Sequence, residues 1–197
     1  MKRRIAFFDF DGTISTKDTL LELIKYQKGR FLFYIGFLIN VPYLIAYKLK
    51  IIPNSTAKQK VLKFFFNKTP LSFFQLQCDR FASSVLPSLI RPKALLEIKK
   101  LQKIGTDVVV VSASAKNWLL TWAEEMDVQL IATMLEVKNE RLTGMIDGEN
   151  CHGQEKVNRI EAAYDLSKYD EIYCYGDSPG DEPMLALGTF SFYKPFR

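Results

Sequence analysis

Four consecutive apolar residues, Ile5-Ala6-Phe7-Phe8, run straight into Asp9-Phe10-Asp11-Gly12-Thr13. No other feature narrows the fold of this chain as much. An unbroken apolar run bounded by charge is a strand covered on both faces. Such strands belong to parallel sheets flanked by helices, and open sheets of that kind carry their sites at the C-terminal strand ends. Side chains two apart on an extended backbone point the same way, so Asp9 and Asp11 are expected to converge while Phe10 turns elsewhere. Gly12 lets the backbone turn and approach a ligand closely. Two adjacent carboxylates repel unless a cation or a proton separates them. The plainer reading, a pair of acids capping a helix, leaves unexplained why so apolar a strand ends in two of them.

The chain beyond residue 90 repeats the alternation. Arg91-Pro92 opens a helix that runs to Lys103 and closes at Gly105. Val108–Val111 is a β-branched central strand, Ser114 to Asp127 a helix, Val128–Ala132 a strand and Glu136–Met145 a hairpin. Gln154–Tyr164 reads as a helix, Glu171–Tyr175 as a strand, Asp181–Leu187 as a short helix and Phe190–Tyr193 as a last strand. This order predicts an α/β fold with a parallel sheet and helices on both faces. A helical block at roughly 20–86, with segments opened by Asn54-Ser55 and Thr69-Pro70, interrupts it and is expected to form a separate cap.

Within that block lies Phe31–Leu49, nearly all apolar and about long enough to cross a bilayer. A span would put the Asp9 strand across the membrane from the Val108–Val111 strand, and the two belong to one sheet. Asn40 and Pro42 are expected to break the run into a helical hairpin. Two readings stand: a hairpin buried in the cap, or one that dips into a membrane surface, with Lys28, Arg30, Lys48 and Lys50 at its rim. In the second, Phe31, Phe33, Phe37, Tyr43 and Tyr47 form an exposed apolar face, which would serve a lipid substrate or a dimer contact alike.

Composition excludes several chemistries. The cysteines at 78, 151 and 174 share no CxxC spacing, which argues against a disulfide framework or a cysteine zinc site. His152 is the one histidine, so a multi-histidine metal site is ruled out. The net charge of +5 favours anionic ligands, but the basic residues are spread along the chain and no nucleic-acid arm forms. Lys2-Arg3-Arg4 leads at once into the first strand, leaving no room for an apolar leader, and a cytoplasmic setting is the expectation.

A second acidic cluster follows the strand at 171–175: Gly176-Asp177-Ser178-Pro179-Gly180-Asp181. Asp181 stands near the first turn of a helix and has an ordinary capping role open to it. Asp177 does not. Three carboxylates without a spare histidine suit a hard, oxygen-preferring cation such as Mg²⁺. Ser112 ends the Val108–Val111 strand and is followed by the small Ala113 and Ser114, where a hydroxyl and helix-start amides would make an anion site. Lys156, alone a solvated lysine, becomes in this company the cation that balances acid and phosphate charge.

Asp9-x-Asp11-x-Thr13, Ser112, Lys156 and Gly176-Asp177-x-x-x-Asp181 resemble, in order, the four motifs of the haloacid dehalogenase superfamily of phosphohydrolases. The resemblance implies a three-layer, Rossmann-like core over residues 1–17 and 89–197, five parallel strands ordered 3-2-1-4-5, and a helical cap over 18–88. It implies that Asp9 is the nucleophile of an aspartyl-phosphate and that Asp11 protonates the leaving oxygen and then activates water. Mg²⁺ would lie between Asp9, the Asp11 backbone carbonyl and Asp177, with Asp181 behind it. Gly12, Thr13, Ser112, Ala113 and Lys156 would surround the phosphoryl group. An acid two residues after the nucleophile is the phosphatase pattern rather than the dehalogenase one.

The cap position is similar to that of phosphoserine-phosphatase-like enzymes, where Asp18 and Lys60 would face the substrate. Both differ in type from the Glu and Arg of those enzymes, and Lys is not an equivalent carboxylate clamp. Cys151-x-Gly153-x-x-Lys156 and the apolar stretch look more like bacterial phosphatidylglycerophosphate phosphatases. The expected activity is therefore Mg²⁺-dependent hydrolysis of a small-molecule or lipid phosphomonoester, the latter at a membrane surface. The rival class is a catalytically silent membrane- or phosphate-binding module.

Overall fold

The computed structural model describes residues 2–197. Strand β1 (Arg4–Phe8) lies at the centre of a six-stranded sheet, parallel to β2 (Asp107–Ala115) on one side and β5 (Glu171–Gly176) on the other. The full order is β4-β3-β2-β1-β5-β6, with β3 at Gln129–Lys138, β4 at Arg141–Asp147 and β6 at Phe190–Tyr193. The five parallel strands keep the 3-2-1-4-5 order. The difference is the sixth strand. The Glu136–Met145 hairpin is not an appendage: β3 runs into it through Asn139 and Glu140, both at positive φ, and β4 returns antiparallel to extend the sheet edge.

Alternation along β1 feeds two cores. Ala6 and Phe8, with Val108, Val110 and Tyr175, face helices α5 (Pro92–Lys103) and α6 (Lys116–Glu125), whose Ile98, Trp118 and Trp122 are buried there. Ile5 and Phe7, with Val109, Val111 and Cys174, face α7 (Gln154–Ala163) and α8 (Glu182–Leu185) through Ile160 and Met184. Phe8 and Tyr175 stack with centroids 4.1 Å apart.

Strand β2 is longer than its β-branched run. It continues through Ala115 with a shift in pairing between Ser112 and Ala115, so α6 starts at Lys116 rather than Ser114. The anion site expected from helix-start amides at Ser112–Ser114 is therefore strand backbone instead.

The cap consists of α1 (Thr19–Lys48), α2 (Asn54–Phe66), α3 (Leu71–Ser84) and the single turn α4 (Leu86–Leu89). Its Leu23, Ile24, Leu62, Phe66, Phe74 and Phe81 join the same apolar cluster as the first face of the sheet. The expected hairpin at Phe31–Leu49 does not form. The break in α1 is at Gly29, whose φ of 77° and ψ of 161° lie where glycine alone sits comfortably. From Arg30 to Lys48 the chain is one helical arm that passes through Pro42 without turning back. Asn40 is buried and donates from Nδ2 to the Gly36 carbonyl, 2.7 Å away, so it braces the arm instead of breaking it. Gly36 is where the arm meets α2: a Cβ there would come 2.1 Å from the Phe65 ring.

The outer side of this arm is bare. Phe31 is 81% exposed and Leu38 73%, with Tyr34, Ile39, Ile45 and Leu49 also exposed. Of the face expected from the sequence, Phe31, Tyr43 and Tyr47 are exposed, Phe37 is half-buried and Phe33 is buried, its ring 4.5 Å from that of Phe37 and tilted by 34°. Thr19–Lys48 is long and apolar enough to cross a membrane by length and composition alone.

The cap is stitched to the sheet edge. Lys68 N–H donates to the Leu142 carbonyl, Leu142 N–H to Thr69, Leu71 N–H to Glu140, and Ile146 N–H to the Gln59 side chain. Gly144 has no side chain because the Lys63 backbone occupies that space; a Cβ would lie 2.3 Å from the Lys63 Cα.

Candidate active site

The C-terminal ends of β1, β2 and β5 open under the cap into a cavity of about 340 Å³. Asp9 follows β1 in extended conformation, tied by its N–H to the Tyr175 carbonyl at 2.9 Å. Residues Phe10–Ile14 then coil into one wide helical turn with Gly12 at φ 86°. A side chain at Gly12 would strike the Asp177 carboxylate at 2.5 Å, so this turn and the second acidic loop are packed backbone against carboxylate.

Lys156, in the first turn of α7, is fully buried. Its Nζ donates to Asp9 Oδ1 at 2.7 Å and to Asp181 Oδ1 at 2.6 Å. Burial alone would depress the ammonium, but the two carboxylates outweigh it and hold Lys156 above its ordinary value. Asp181 Oδ2 accepts from the Asp177 and Ser178 N–H groups and from Ser178 Oγ. Both Asp181 oxygens are thus engaged, and its carboxyl stays below the usual range: burial works against this, and Lys156 and Ser178 prevail.

Asp9 moves the other way. Desolvation pushes its carboxyl up to about 6 in spite of Lys156. Asp11 is also raised, by burial and then by the nearby Asp18. It is held by neutral donors: Thr19 N–H at 2.8 Å and the Ser114 hydroxyl. Ser114 in turn contacts the Thr19 hydroxyl at 2.9 Å, which accepts from the Trp118 indole at 3.0 Å. One acid is therefore paired with a cation and the other is suspended in a neutral network.

The remaining sequence candidates fall as follows. Thr13 is buried and its hydroxyl reaches Asp177 at 3.5 Å. Ser112 is buried with its Oγ accepting from Ser114 N–H at 3.0 Å. Ala113 lines the cavity, as do Asp9, Asp11, Asp18, Lys156 and Asp181. Asp18 doubles as the N-cap of α1, accepting from Leu21 N–H at 3.1 Å. Lys60 is not brought to the site: it is exposed on α2 with its ammonium over the Tyr43 ring at 4.8 Å. Two residues on α2 are 200° of helical turn, so the lysine that enters the cavity is Lys58. The pattern Asn54, Ala57, Lys58, Val61 marks one face of α2 and would have located it. The sequence takes Ser114 only as a small residue at the anion site, and neither its bond to Asp11 nor Arg197, whose guanidinium contacts Asp177, is foreseen there.

The donors suit a hard divalent cation. Carboxylate oxygens of Asp9, Asp177 and Asp181 lie within 4.8 Å of one another, and the set contains no sulfur or nitrogen. Asp9 Oδ2 has no hydrogen-bond donor among the described residues, whereas both oxygens of Asp181 are occupied. Asp177 Oδ1 meets the Thr13 hydroxyl at 3.5 Å and its Oδ2 the Arg197 guanidinium, so among the described residues Asp9 Oδ2 is the carboxylate oxygen of the three acids left without a donor.

A parallel sheet with paired acids at its central strand end, a buried lysine bridging two acidic loops, and helices closing the cavity are the parts of a hydrolase site. The chain belongs to the haloacid dehalogenase-like hydrolases, whose family model matches residues 6–186. It is 31% identical to protein CicA of Caulobacter vibrioides over 98% of this chain and 86% of that one. A protein of unknown function from Bordetella pertussis shares the fold with a TM-score of 0.80 at 23% identity, covering 96% of this chain and 88% of the other. A phosphoserine phosphatase solved as a phospho-aspartyl intermediate analogue superposes with a TM-score of 0.68 at 18% identity, covering 95% and 84%.

Proposed function

We propose that the protein hydrolyses phosphomonoesters through a phospho-aspartyl intermediate on Asp9, with Mg²⁺ as its cofactor. The observation that carries this reading is the division between the two acids: Asp9 bound to Lys156, Asp11 held only by Thr19 and Ser114. A carboxylate oxygen of Asp9 attacks phosphorus and the ester P–O bond breaks. Asp11, whose raised carboxyl retains a proton more readily than an ordinary aspartate, passes it to the leaving oxygen. Asp11 then takes a proton from water, whose oxygen attacks phosphorus; the bond to Asp9 breaks and inorganic phosphate departs. Lys156 keeps Asp9 and Asp181 in register and offsets their charge. Bound at Asp9 and Asp177, Mg²⁺ supplies the positive charge that lets a carboxylate approach a phosphate dianion. Ala113 lines the cavity where the phosphoryl group would rest, while Thr13 and Ser112 are buried and brace Asp177 and Ser114.

The test is hydrolysis of an aryl phosphate by the purified protein, stopped by a chelator and restored by Mg²⁺. Full turnover after exhaustive chelation would remove the metal, and a silent wild type would leave a phosphate-binding module.

Among substrates, the arm favours a phosphate ester carried by a lipid. Phe37, Leu44 and Tyr47 of the arm line the cavity, while Phe31, Leu38 and Ile45 are open to solvent. An apolar chain would thus pass from cavity to surface over apolar side chains. Lys28 and Arg30 at one end of the arm and Lys48 and Lys50 at the other favour an anionic bilayer face. Flotation with anionic vesicles, and turnover of a long-chain lipid phosphate against phosphoserine, separate the alternatives. No flotation with a concentration-dependent dimer would assign the arm to self-association instead.

A further inference from the structure

Lys58 is the second lysine of the cavity, and it is bound in a different way from the first. Lys156 spends its charge on two carboxylates. Lys58 Nζ touches only neutral acceptors, the Ala113 carbonyl and Asn150 Oδ1, the latter at 3.2 Å. It has no carboxylate within ion-pair distance among the described residues. Burial depresses its ammonium to about 8, with Asp11 and Asp18 only partly offsetting the loss of water. A buried ammonium satisfied by neutral dipoles retains attraction for an anion entering the same cavity.

Asn150 is what fixes it there. The residue is 6% exposed, in the segment between β4 and α7. Its Oδ1 accepts from Lys58 and from the Thr133 hydroxyl at 3.0 Å; its Nδ2 donates to Asn54 Oδ1 at 2.9 Å. Thr133 Oγ1 in turn accepts from Cys151 N–H at 3.1 Å. Asn54 and Lys58 are one turn apart on α2, so a single core amide grips two cap side chains on the same helix face. Each polar atom of the Asn150 amide has a partner of the right kind, which leaves the group one orientation.

We propose that Asn150 is a positioning residue: it holds the Lys58 ammonium beside the Ala113 carbonyl, at the strand end that receives the phosphoryl group, so that Lys58 serves as a second anion-binding cation of the cavity. The inference rests on the phosphate-ester reading above for its ligand. A lysine stem has four rotatable bonds, and without the amide the ammonium is free to leave the wall and hydrate.

The experiment is a double-mutant cycle read on binding of inorganic phosphate by calorimetry, in Mg²⁺, with aryl phosphate kinetics in parallel. Lys58→Met is expected to weaken phosphate about tenfold, the scale of a lost charged hydrogen bond. Asn150→Ala should weaken it by a similar or smaller factor. The double variant should bind no worse than Lys58→Met, because the amide acts through the lysine. Gln59→Ala, which loosens α2 from β4 without touching Lys58, should add its effect to Lys58→Met independently. Additive losses for Asn150 and Lys58 would reduce Asn150 to a general support of the cap and overturn the proposal, as would unchanged phosphate affinity in Lys58→Met. Thermal melts of each variant identify any that fail to fold, and Asn150→Ser then replaces Asn150→Ala. A wild type that shows the coupling in phosphate binding but no turnover overturns the hydrolase reading alone. One that turns over with additive losses overturns only this inference.

Discussion

The two walls of the cavity are built by opposite rules. On the sheet side, Asp9, Lys156 and Asp181 are buried and Asp11 half-buried, and their polar atoms, Asp9 Oδ2 apart, are committed to named partners. On the arm side, one face of a long helix packs on α2 through Gly36 and Phe37, and the other presents large apolar side chains to solvent. The first wall specifies a charge arrangement to within a hydrogen-bond length. The second specifies little beyond a helical, apolar surface. Under the proposed phosphatase reading, the chemistry would belong to the sheet, and the arm would be free to set the choice of leaving group.

Substitutions on the two walls should then separate. Asp9→Asn is expected to lower aryl phosphate turnover by about four orders of magnitude or more while the melting temperature holds, since the amide keeps the shape and loses the nucleophile. Lys156→Met should cost stability as well, about 3–5 kcal/mol in denaturant titration, because it strands two buried carboxylates. A sheet wall that tolerated this change would not be held by its charges. Gly29→Val, at the junction of arm and core-facing helix, should cost about 1–3 kcal/mol through backbone strain alone, as no atom lies within 4 Å of a Cβ there.

Lys58 gives a pH-dependent difference. Its folded-state pKa of about 8 lies below the ordinary 10.5, so between those values the unfolded chain binds more protons and stability rises with pH. Below about 8 the cost of burying the charge is present in full. The stability advantage of Lys58→Met over wild type should therefore shrink by about 1–3 kcal/mol as the buffer is raised from neutral to about pH 10. Constancy across that window would mean that Lys58 is hydrated. Smallest of all, a Tyr34→Ser, Leu38→Ser variant should change stability by no more than about 0.5 kcal/mol. It should leave aryl phosphate turnover intact and lose vesicle binding. A loss of turnover would tie the arm to the chemistry and collapse the contrast.

What could be read from the sequence follows the same division. Ile5–Phe8, Val108–Val111 and the strand before Asp177 are unbroken apolar runs that end in polar residues, a pattern with one structural outcome, and they placed Asp9, Ser112 and Asp177. The arm gave no such constraint. An Asn-x-Pro pair is a common helix breaker, yet here Pro42 sits on the exposed side and the Asn40 side chain donates to the Gly36 carbonyl within the helix, while the break falls at Gly29. Lys58 and Lys60 are equivalent by spacing and differ only in helical phase, which is fixed by where Ala57 and Val61 pack. The Glu136–Met145 hairpin is legible in the sequence, but not that β4 extends the main sheet, because the sequence of a hairpin does not record which sheet it joins. Ser114 and Thr19 looked like ordinary small polar residues. Their role exists only because the cap folds back across the sheet.

The stitching of residues 68–71 to the β3–β4 hairpin has a consequence for how such a chain diversifies. It leaves α2 and α3 as fixtures, whereas the arm joins the rest at Gly29 and at Lys50, the latter at φ 58°. A segment bounded by two positive-φ residues and packed along one stripe tolerates a change of composition along its outer side, whereas an insertion would turn its packing stripe off α2. A change of composition along the outer side of the arm would alter the surface this chain presents to solvent and leave the acids of the sheet untouched.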